Sequence, residues 1–245
     1  MSNSRAGRFW LRGFTSLAIL SLLLTGCSRQ AGEPESREKP ATPHPGKHRL
    51  VQDGDIWTYE TQGTEKSTVS SAAESFNGPL VISILNQQDP RGRDGLLQLW
   101  TWKTSKGKVL GTSESWLRQA EDGDVYLRGE RNGDGPLGWV THPSGEIKID
   151  EFPLKVGDKF SYRYDLDTKQ WNEGSQVVEG LERVQTAAGE FDTFRIRGQW
   201  SDPEGSYSCV RWFDPGVGAV KFEQKEVYRD STVDFTGELN SYSFK

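Results

Sequence analysis

The alternation of apolar and polar positions predicts an all-β protein. Beyond residue 50, short apolar runs alternate with clusters of Gly, Asp, Asn and Pro, and no long helical periodicity is present. In residues 160–164 the aromatic side chains fall on one strand face and the polar ones on the other, and residues 193–197 and 220–223 repeat this pattern. Such alternation is typical of antiparallel sheet with one solvated face.

Turn chemistry separates the predicted strands. Candidate turns lie at residues 121–124, 132–135, 188–189 and 214–216, where Gly, Asp, Asn and Pro concentrate. One segment, residues 68–76 with Ala72 and Ala73, is compatible with either a short helix or a weak strand.

Two internal echoes suggest a duplicated unit. Residues 54–59 (Gly-Asp-Ile-Trp-Thr-Tyr) resemble residues 157–162 (Gly-Asp-Lys-Phe-Ser-Tyr), and residues 113–118 resemble residues 206–211. We therefore expect two β-meanders, residues 50–150 and 151–245, in one curved antiparallel sheet or two abutting sheets, a partly open barrel or sandwich. The alternative is coincidence among common strand sequences.

The N-terminus has the pattern of an export signal. Arg5, Arg8 and Arg12 precede a largely apolar run at residues 14–25, which is shorter than the roughly 20 residues of a membrane-spanning helix. The run ends in Leu-Thr-Gly-Cys27, which resembles a lipobox. That resemblance implies a diacylglyceryl cysteine that is also acylated, for example with palmitate, after cleavage before Cys27. The alternative is a chance cysteine after an apolar run.

The predicted domain boundaries follow from this motif. We expect a lipoprotein signal peptide at residues 1–26, a lipid-anchored disordered tether at residues 27–49 and a β-rich domain at residues 50–245. The tether is polar and proline-rich, with almost nothing apolar to bury. Removing the signal takes three arginines from a chain of formal net charge −5, leaving −8. An acidic body repels phosphate backbones, so we expect no nucleic acid partner.

Few residues in the domain suit nucleophilic or metal chemistry. Cys209 is the only cysteine besides Cys27, and a buried small residue is favoured over a reactive thiol. His142 is the only histidine outside the tether, where His44 and His48 lie, so a zinc site or Ser-His-Asp triad is not expected. We predict no cofactor and no metal.

Carboxylates and glycines leave two further alternatives. A hydrolase would need a carboxylate pair, and the candidates lie near glycines in turn-like sequence: Glu121, Asp122, Asp124, Glu130 and Asp134. The run at residues 132–135 falls short of a calcium-loop pattern. Gly216-Val217-Gly218 is followed by strand residues rather than by a helix, which disfavours a phosphate loop.

Aromatic and arginine side chains supply the candidate ligand contacts. Eight of nine tryptophans lie in the predicted domain, and aromatics at strand spacing are more often core than ligand platform. The alternative is an aromatic wall for an apolar or glycan ligand, which involves Trp100, Trp102 and Trp171. Trp171 is expected in a polar loop and is the best single candidate for an exposed aromatic. Arg118 and Arg211 are matched by the second echo and either hold an anion or pair with Asp55 and Asp158.

The second half resembles a known group of exported bacterial proteins. The motifs are residues 152–160 (Phe-Pro-Leu-Lys-Val-Gly-Asp-Lys-Phe), 178–184, 186–193 and 212–221. They resemble the TapB-like family, which contains many lipoproteins. The resemblance implies an all-β fold and export but brings no activity or catalytic residues. At Ala187 the chain departs from the Thr-Pro-Ala-Gly pattern common in that family.

These observations together predict a lipid-anchored cell-envelope lipoprotein with a non-catalytic binding or structural role. Ser28 after Cys27 favours the periplasmic face of the outer membrane in a diderm host. One alternative is a carrier that holds an acyl chain or other apolar ligand in an aromatic-lined cavity. The other is the carboxylate-dependent hydrolase.

Overall fold

The computed structural model describes residues 49–69 and 73–245, and its regular elements are all strands. They are β1 (Ile56–Ser67), β2 (Ala73–Gln88), β3 (Asp94–Lys103), β4 (Val109–Gln119), β5 (Val125–Asn132), β6 (Gly138–Trp139), β7 (Ile147–Asp150), β8 (Lys159–Asp165), β9 (Trp171–Thr186), β10 (Gly189–Ser201), β11 (Gly205–Asp214), β12 (Gly218–Tyr228) and β13 (Ser231–Ser243). The all-β prediction is confirmed. The ambiguous segment enters strand β2 at Ala73, while residues 70–72 lie outside the described part.

All strands belong to one antiparallel sheet. Its order is β6-β5-β4-β3-β2-β1-β13-β12-β11-β10-β9-β8, with β7 paired to β5. The sheet is open, but an isolated bridge between Val140 and Leu166 connects its two ends. Strands β1–β5 and β8–β12 each run as a meander of neighbouring strands, and β13 lies between β1 and β12.

The turns that precede β1 and β8 have the same construction. In the first, Gly54 N donates to Ile84 O and Gln52 N to the Asp55 carboxylate. In the second, the same pattern links Gly157 N to Val178 O and Lys155 N to the Asp158 carboxylate. Both glycines have positive φ, +87° and +94°, which a residue with a side chain rarely adopts. The first echo therefore marks equivalent positions.

Strand pairing places the second echo three residues away from its predicted alignment. In the first half, Trp57 on β1 is paired across successive strands with Ile82, then Trp100, then Ser113. In the second half, Phe160 on β8 is paired in the same way with Gln176, then Gly198, then Cys209. Ser113 is thus the counterpart of Cys209, not of Ser206. A register shift follows Trp116 in the β4–β5 pair and Trp212 in the β11–β12 pair. The predicted equivalence of Arg118 and Arg211 was wrong because it aligned common serine spacings rather than these bulges.

A shared interior joins the two halves. The largest fully buried side chains include Trp57, Tyr59 and Phe222, all on the inner face. The Trp57 indole N–H donates to Val217 O at 3.2 Å, and the Tyr59 hydroxyl donates to Ala219 O at 2.7 Å. These bonds connect residues 160 apart in sequence, and the curved sheet encloses one main core that contains residues from both halves. A smaller cluster of Leu97, Trp116 and Trp139 packs separately.

Candidate functional site

The paired tryptophans of β3 lie in the packed interior. Trp100 is 1% exposed and Trp102 is 3% exposed, and their rings stack with centroids 6.1 Å apart. Five other tryptophans are buried as well: Trp57, Trp116, Trp139, Trp200 and Trp212. The strand face that carries Trp100 and Trp102 is therefore filled core rather than an open ligand platform.

Trp171 occupies a strand, not the polar loop that the sequence predicted. It is the first residue of β9 and faces Asp165 on β8. The side chain is half-buried, and the Arg163 guanidinium carbon lies 5.8 Å from its ring centroid. Of the polar residues that flank Trp171, Gln170 precedes the strand and is exposed, whereas Asn172 is buried on the opposite strand face from Trp171.

Arg118 is bound by side chains of the first half. Its guanidinium donates to the Glu146 carboxylate at 2.5 and 2.8 Å and lies over the Tyr126 ring at 4.0 Å. Burial opposes ionisation of Glu146, but hydrogen bonds from Arg118 and Arg128 lower its pKa overall. The predicted pairing of Arg118 with Asp55 is wrong, because Asp55 binds Arg49 at 2.8 Å.

Arg211 is buried at a contact between the two halves. Its Nη2 donates to Asp150 Oδ1 at 3.0 Å and to Gln176 Oε1 at 2.7 Å. Gln176 Nε2 in turn donates to Asp150 Oδ1 at 2.7 Å, so the three side chains form one network. The predicted pairing of Arg211 with Asp158 is wrong, because the Asp158 carboxylate accepts the Lys155 backbone N–H.

Arg211 and Gln176 also line a pocket of about 380 Å³, which we call the Arg211 pocket. It lies between residues 151–155 and the inner face of strands β8–β11. The apolar part of the remaining lining consists of Phe152, Pro153, Leu154, Phe160, Val178 and Ile196. The charged rim consists of Glu151, Lys155, Asp158 and Lys159. Pockets that take small ligands are commonly 300–1,000 Å³ with mostly apolar walls and a few polar groups.

Sequence reasoning identified Arg211 but missed the rest of this pocket. The Phe-Pro-Leu-Lys-Val-Gly-Asp-Lys-Phe motif at residues 152–160 was the available signal, because it supplies most of one wall and the rim. In the sequence this motif carried only a family resemblance, which implies an all-β fold and export but no binding residues. The Gly-Asp turn is present, and the apolar residues before and after it line the cavity.

Two wider grooves cross the outer face of the sheet. They have volumes of about 710 and 790 Å³ and share Ser208 and Lys225. Their linings mix Ser, Thr, Asn and Gln with charged, aromatic and aliphatic residues of neighbouring strands. These grooves are more open than the Arg211 pocket, so the pocket, being more enclosed, is the better candidate for a small ligand.

The carboxylates proposed for hydrolysis lie in different environments. Glu121 and Asp134 are exposed, and Asp122 accepts the Asp124 N–H within its own turn. Asp124 accepts the Phe152 N–H and pairs with Lys148 at 2.6 Å. Glu130 is buried beside the Tyr164 hydroxyl, and burial raises its pKa to about 7. None of these five side chains lines the Arg211 pocket.

Burial also determines the state of Cys209. The side chain is 5% exposed, and burial raises the pKa of its thiol to about 12. His142 is exposed, and its Nδ1 lies 2.7 Å from Ser144 Oγ. Across residues 49–69 and 73–245, no group of three or more His, Cys, Asp or Glu side chains has metal-binding proximity.

Several sequence predictions fall outside the described residues. They are the signal peptide, the Cys27 lipidation site, the tether and the tether histidines His44 and His48. In the part of the chain that the structure covers, there is no helix with the length and apolar character needed to span a bilayer.

No protein-family model and no curated protein matches the sequence. Among solved structures, the chain is similar to an exported protein with YmcC-like fold from Bacteroides fragilis, described as "putative", with 16% identity, 79% and 97% coverage of this chain and that chain, and a TM-score of 0.43. A "putative lipoprotein" from Parabacteroides distasonis gives 12% identity, 78% and 96% coverage and a TM-score of 0.39. The hypothetical lipoprotein YmcC from Escherichia coli gives 11% identity, 73% coverage of this chain, 83% coverage of that chain and a TM-score of 0.33.

Proposed function

We propose that the protein is a lipid-anchored component of the bacterial cell envelope whose β-domain has a non-catalytic binding role. The observation that carries the proposal is the N-terminal motif, in which a basic segment, an apolar run and Leu-Thr-Gly-Cys27 follow in order. Two or three acyl chains on Cys27 would give stable anchoring, because each buried methylene contributes about 0.8 kcal/mol. Ser28 favours delivery to the periplasmic face of the outer membrane.

The Arg211 pocket supports binding rather than catalysis. Its most buried polar side chains, Arg211 and Gln176, are engaged with each other and with Asp150. Such groups hold a cavity in shape but are poorly placed to exchange protons with a substrate. The carrier hypothesis, which the sequence attached to the tryptophans, therefore applies to the Arg211 pocket, which a ligand can reach from solvent through its exposed rim.

Anchoring is tested by replacing the two cysteines separately. Cys27→Ala should release the full-length protein from the membrane fraction or leave it mislocalised with its leader attached, whereas Cys209→Ala should remain in the membrane fraction. Intact mass spectrometry should find the wild-type chain cleaved before Cys27 and acylated. Retention of a cleaved Cys27→Ala protein in the membrane fraction at the wild-type level, or an unmodified thiol in the native protein, contradicts the proposal.

A further inference from the structure

We propose that the Arg211 pocket binds an amphiphilic anion, with the apolar body inside the cavity and the head group against Lys155 and Lys159. This inference rests on the binding role proposed above and names its ligand class. It draws on three features of the described residues: a comparison between the two halves of the sheet, the charges at the rim and the lining of the cavity.

The first half of the sheet shows what the fold places at the equivalent position. There, Trp57 is the counterpart of Phe160, and Ile84 is the counterpart of Val178. Trp57 is fully buried, and the ring of the C-terminal Phe244 packs against it with centroids 5.5 Å apart. An apolar ring of the same chain therefore packs on the first site.

In the second half, the described residues cover the equivalent position less completely. Phe160 and Leu154 remain partly exposed, whereas Trp57 and Val51, at the corresponding positions of the first turn and strand, are buried. Here a cavity of about 380 Å³ lies against Phe160 and Leu154, the counterparts of Trp57 and Val51. An apolar group of a ligand can occupy it and bury the same kind of surface.

The rim indicates the sign of the head group. Lys155 and Lys159 are exposed, and neither has an ion-pair partner among the described residues. Inside, the charge of Arg211 is balanced by Asp150, and the Asp158 carboxylate is held by the Lys155 N–H. Glu151 and Asp158 are the exposed carboxylates of the same rim. The two lysine ammonium groups have no ion-pair partner among the described residues, so they are the groups available to bind an anionic head group beside the apolar cavity.

Both a carboxylate and a phosphate head group would fit beside the two lysines. The experiment must therefore distinguish fatty acids from lysophospholipid-like phosphates. The full-length protein is placed in phosphatidylcholine vesicles and irradiated with a diazirine derivative of decanoic acid. Labelled peptides are then mapped by mass spectrometry. Competition with decanoate, decyl phosphate and decanol compares two head groups with a neutral compound of the same chain length.

We expect labelling to concentrate on residues 151–160. Decanoate or decyl phosphate should reduce this labelling at concentrations at least tenfold below those needed for decanol. The stronger of the two competitors shows whether the ligand's head group is a carboxylate or a phosphate. Labelling outside the pocket, or equal competition by decanol, overturns the inference.

Two pairs of variants test the contacts. Leu154→Trp fills the cavity and should abolish labelling, whereas Leu181→Trp, at an exposed position outside the pocket, should not. The double change Lys155→Gln and Lys159→Gln should weaken competition by the anions at least fivefold and leave decanol unchanged. The same change at Lys106 and Lys108, exposed lysines of the β3–β4 turn, is the control.

The lysine pair decides the result if Leu154→Trp does not fold, because exposed lysines contribute little to stability. Undiminished anion competition in that double variant refutes the head-group assignment. If the pocket is not labelled but membrane retention still depends on Cys27, only this inference is refuted. If membrane retention does not depend on Cys27, the anchoring proposal is refuted instead.

Discussion

At the scale of single residues, Glu226 is the clearest case of a side chain whose environment controls its ionisation. It lies on the inner face of β12, fully buried, and accepts hydrogen bonds from Gln224 and Tyr228. Burial, assisted by the nearby charges of Asp202 and Glu65, raises its pKa from 4.5 to about 8 despite those bonds. Between these two values the folded protein binds a proton that the unfolded chain releases.

The free energy of unfolding should therefore fall as the pH rises from about 4.5 to about 8. Glu226→Gln keeps the volume without an ionisable proton, so it should remove part of this decline and stabilise the protein at pH 9 by a few kcal/mol, since each pKa unit corresponds to about 1.4 kcal/mol. Urea unfolding at pH 5, 7 and 9 measures this, with exposed Glu223→Gln as control. Glu130, whose pKa burial also raises, will leave a smaller slope of the same sign.

The sequence predicted apolar inward positions better than polar ones. Aromatic alternation in residues 160–164 places Tyr162 and Tyr164 inside, as the structure confirms. In β12, however, residues 223–226 read Glu-Gln-Lys-Glu, and no contrast in polarity marks Gln224 and Glu226 as buried. Their burial depends on tyrosine hydroxyls and neighbours from other strands, which become adjacent only in the folded sheet.

At the scale of strands, a glycine on β13 makes room for an aromatic ring of β12. Gly237 lies directly opposite Phe222, and a Cβ at position 237 would come within 2.2 Å of the ring. Gly237→Ala should therefore destabilise the protein by about 1–3 kcal/mol, because the fully buried ring must shift. Gly198→Ala on β10 is the matched control, since its Cβ would meet only ordinary contacts at 3.8 Å.

Denaturant midpoints of the two variants measure this difference. Gly198→Ala should show no loss, or a small gain from reduced freedom of the unfolded chain. Equal effects of the two substitutions would mean that ring packing is not the cause. The glycines also limited sequence prediction: the first echo succeeded because a Gly-Asp turn has fixed hydrogen bonds, whereas the second failed because strand bulges leave no comparable residue signature.

At the scale of the whole molecule, contacts between the halves predict one cooperative unit. Strand β1 pairs with β13, and Arg211 of the second half binds Asp150 of the first with both side chains at most 5% exposed. The sequence predicted the fold class because alternation is local. It did not predict the Arg211 pocket, since that cavity requires residues 151–160 to meet strands β9–β11.

We expect full-length protein to unfold in a single transition, with coincident curves from tryptophan fluorescence and far-ultraviolet circular dichroism. Asp150→Ala leaves Arg211 buried without its counter-ion, so the common transition should shift by about 3–5 kcal/mol. Glu173→Ala breaks an exposed pair with Arg163 and should cost less than about 1 kcal/mol. Because tryptophans lie in both halves, separate fluorescence transitions in Asp150→Ala would show that the halves unfold independently, contrary to the single core.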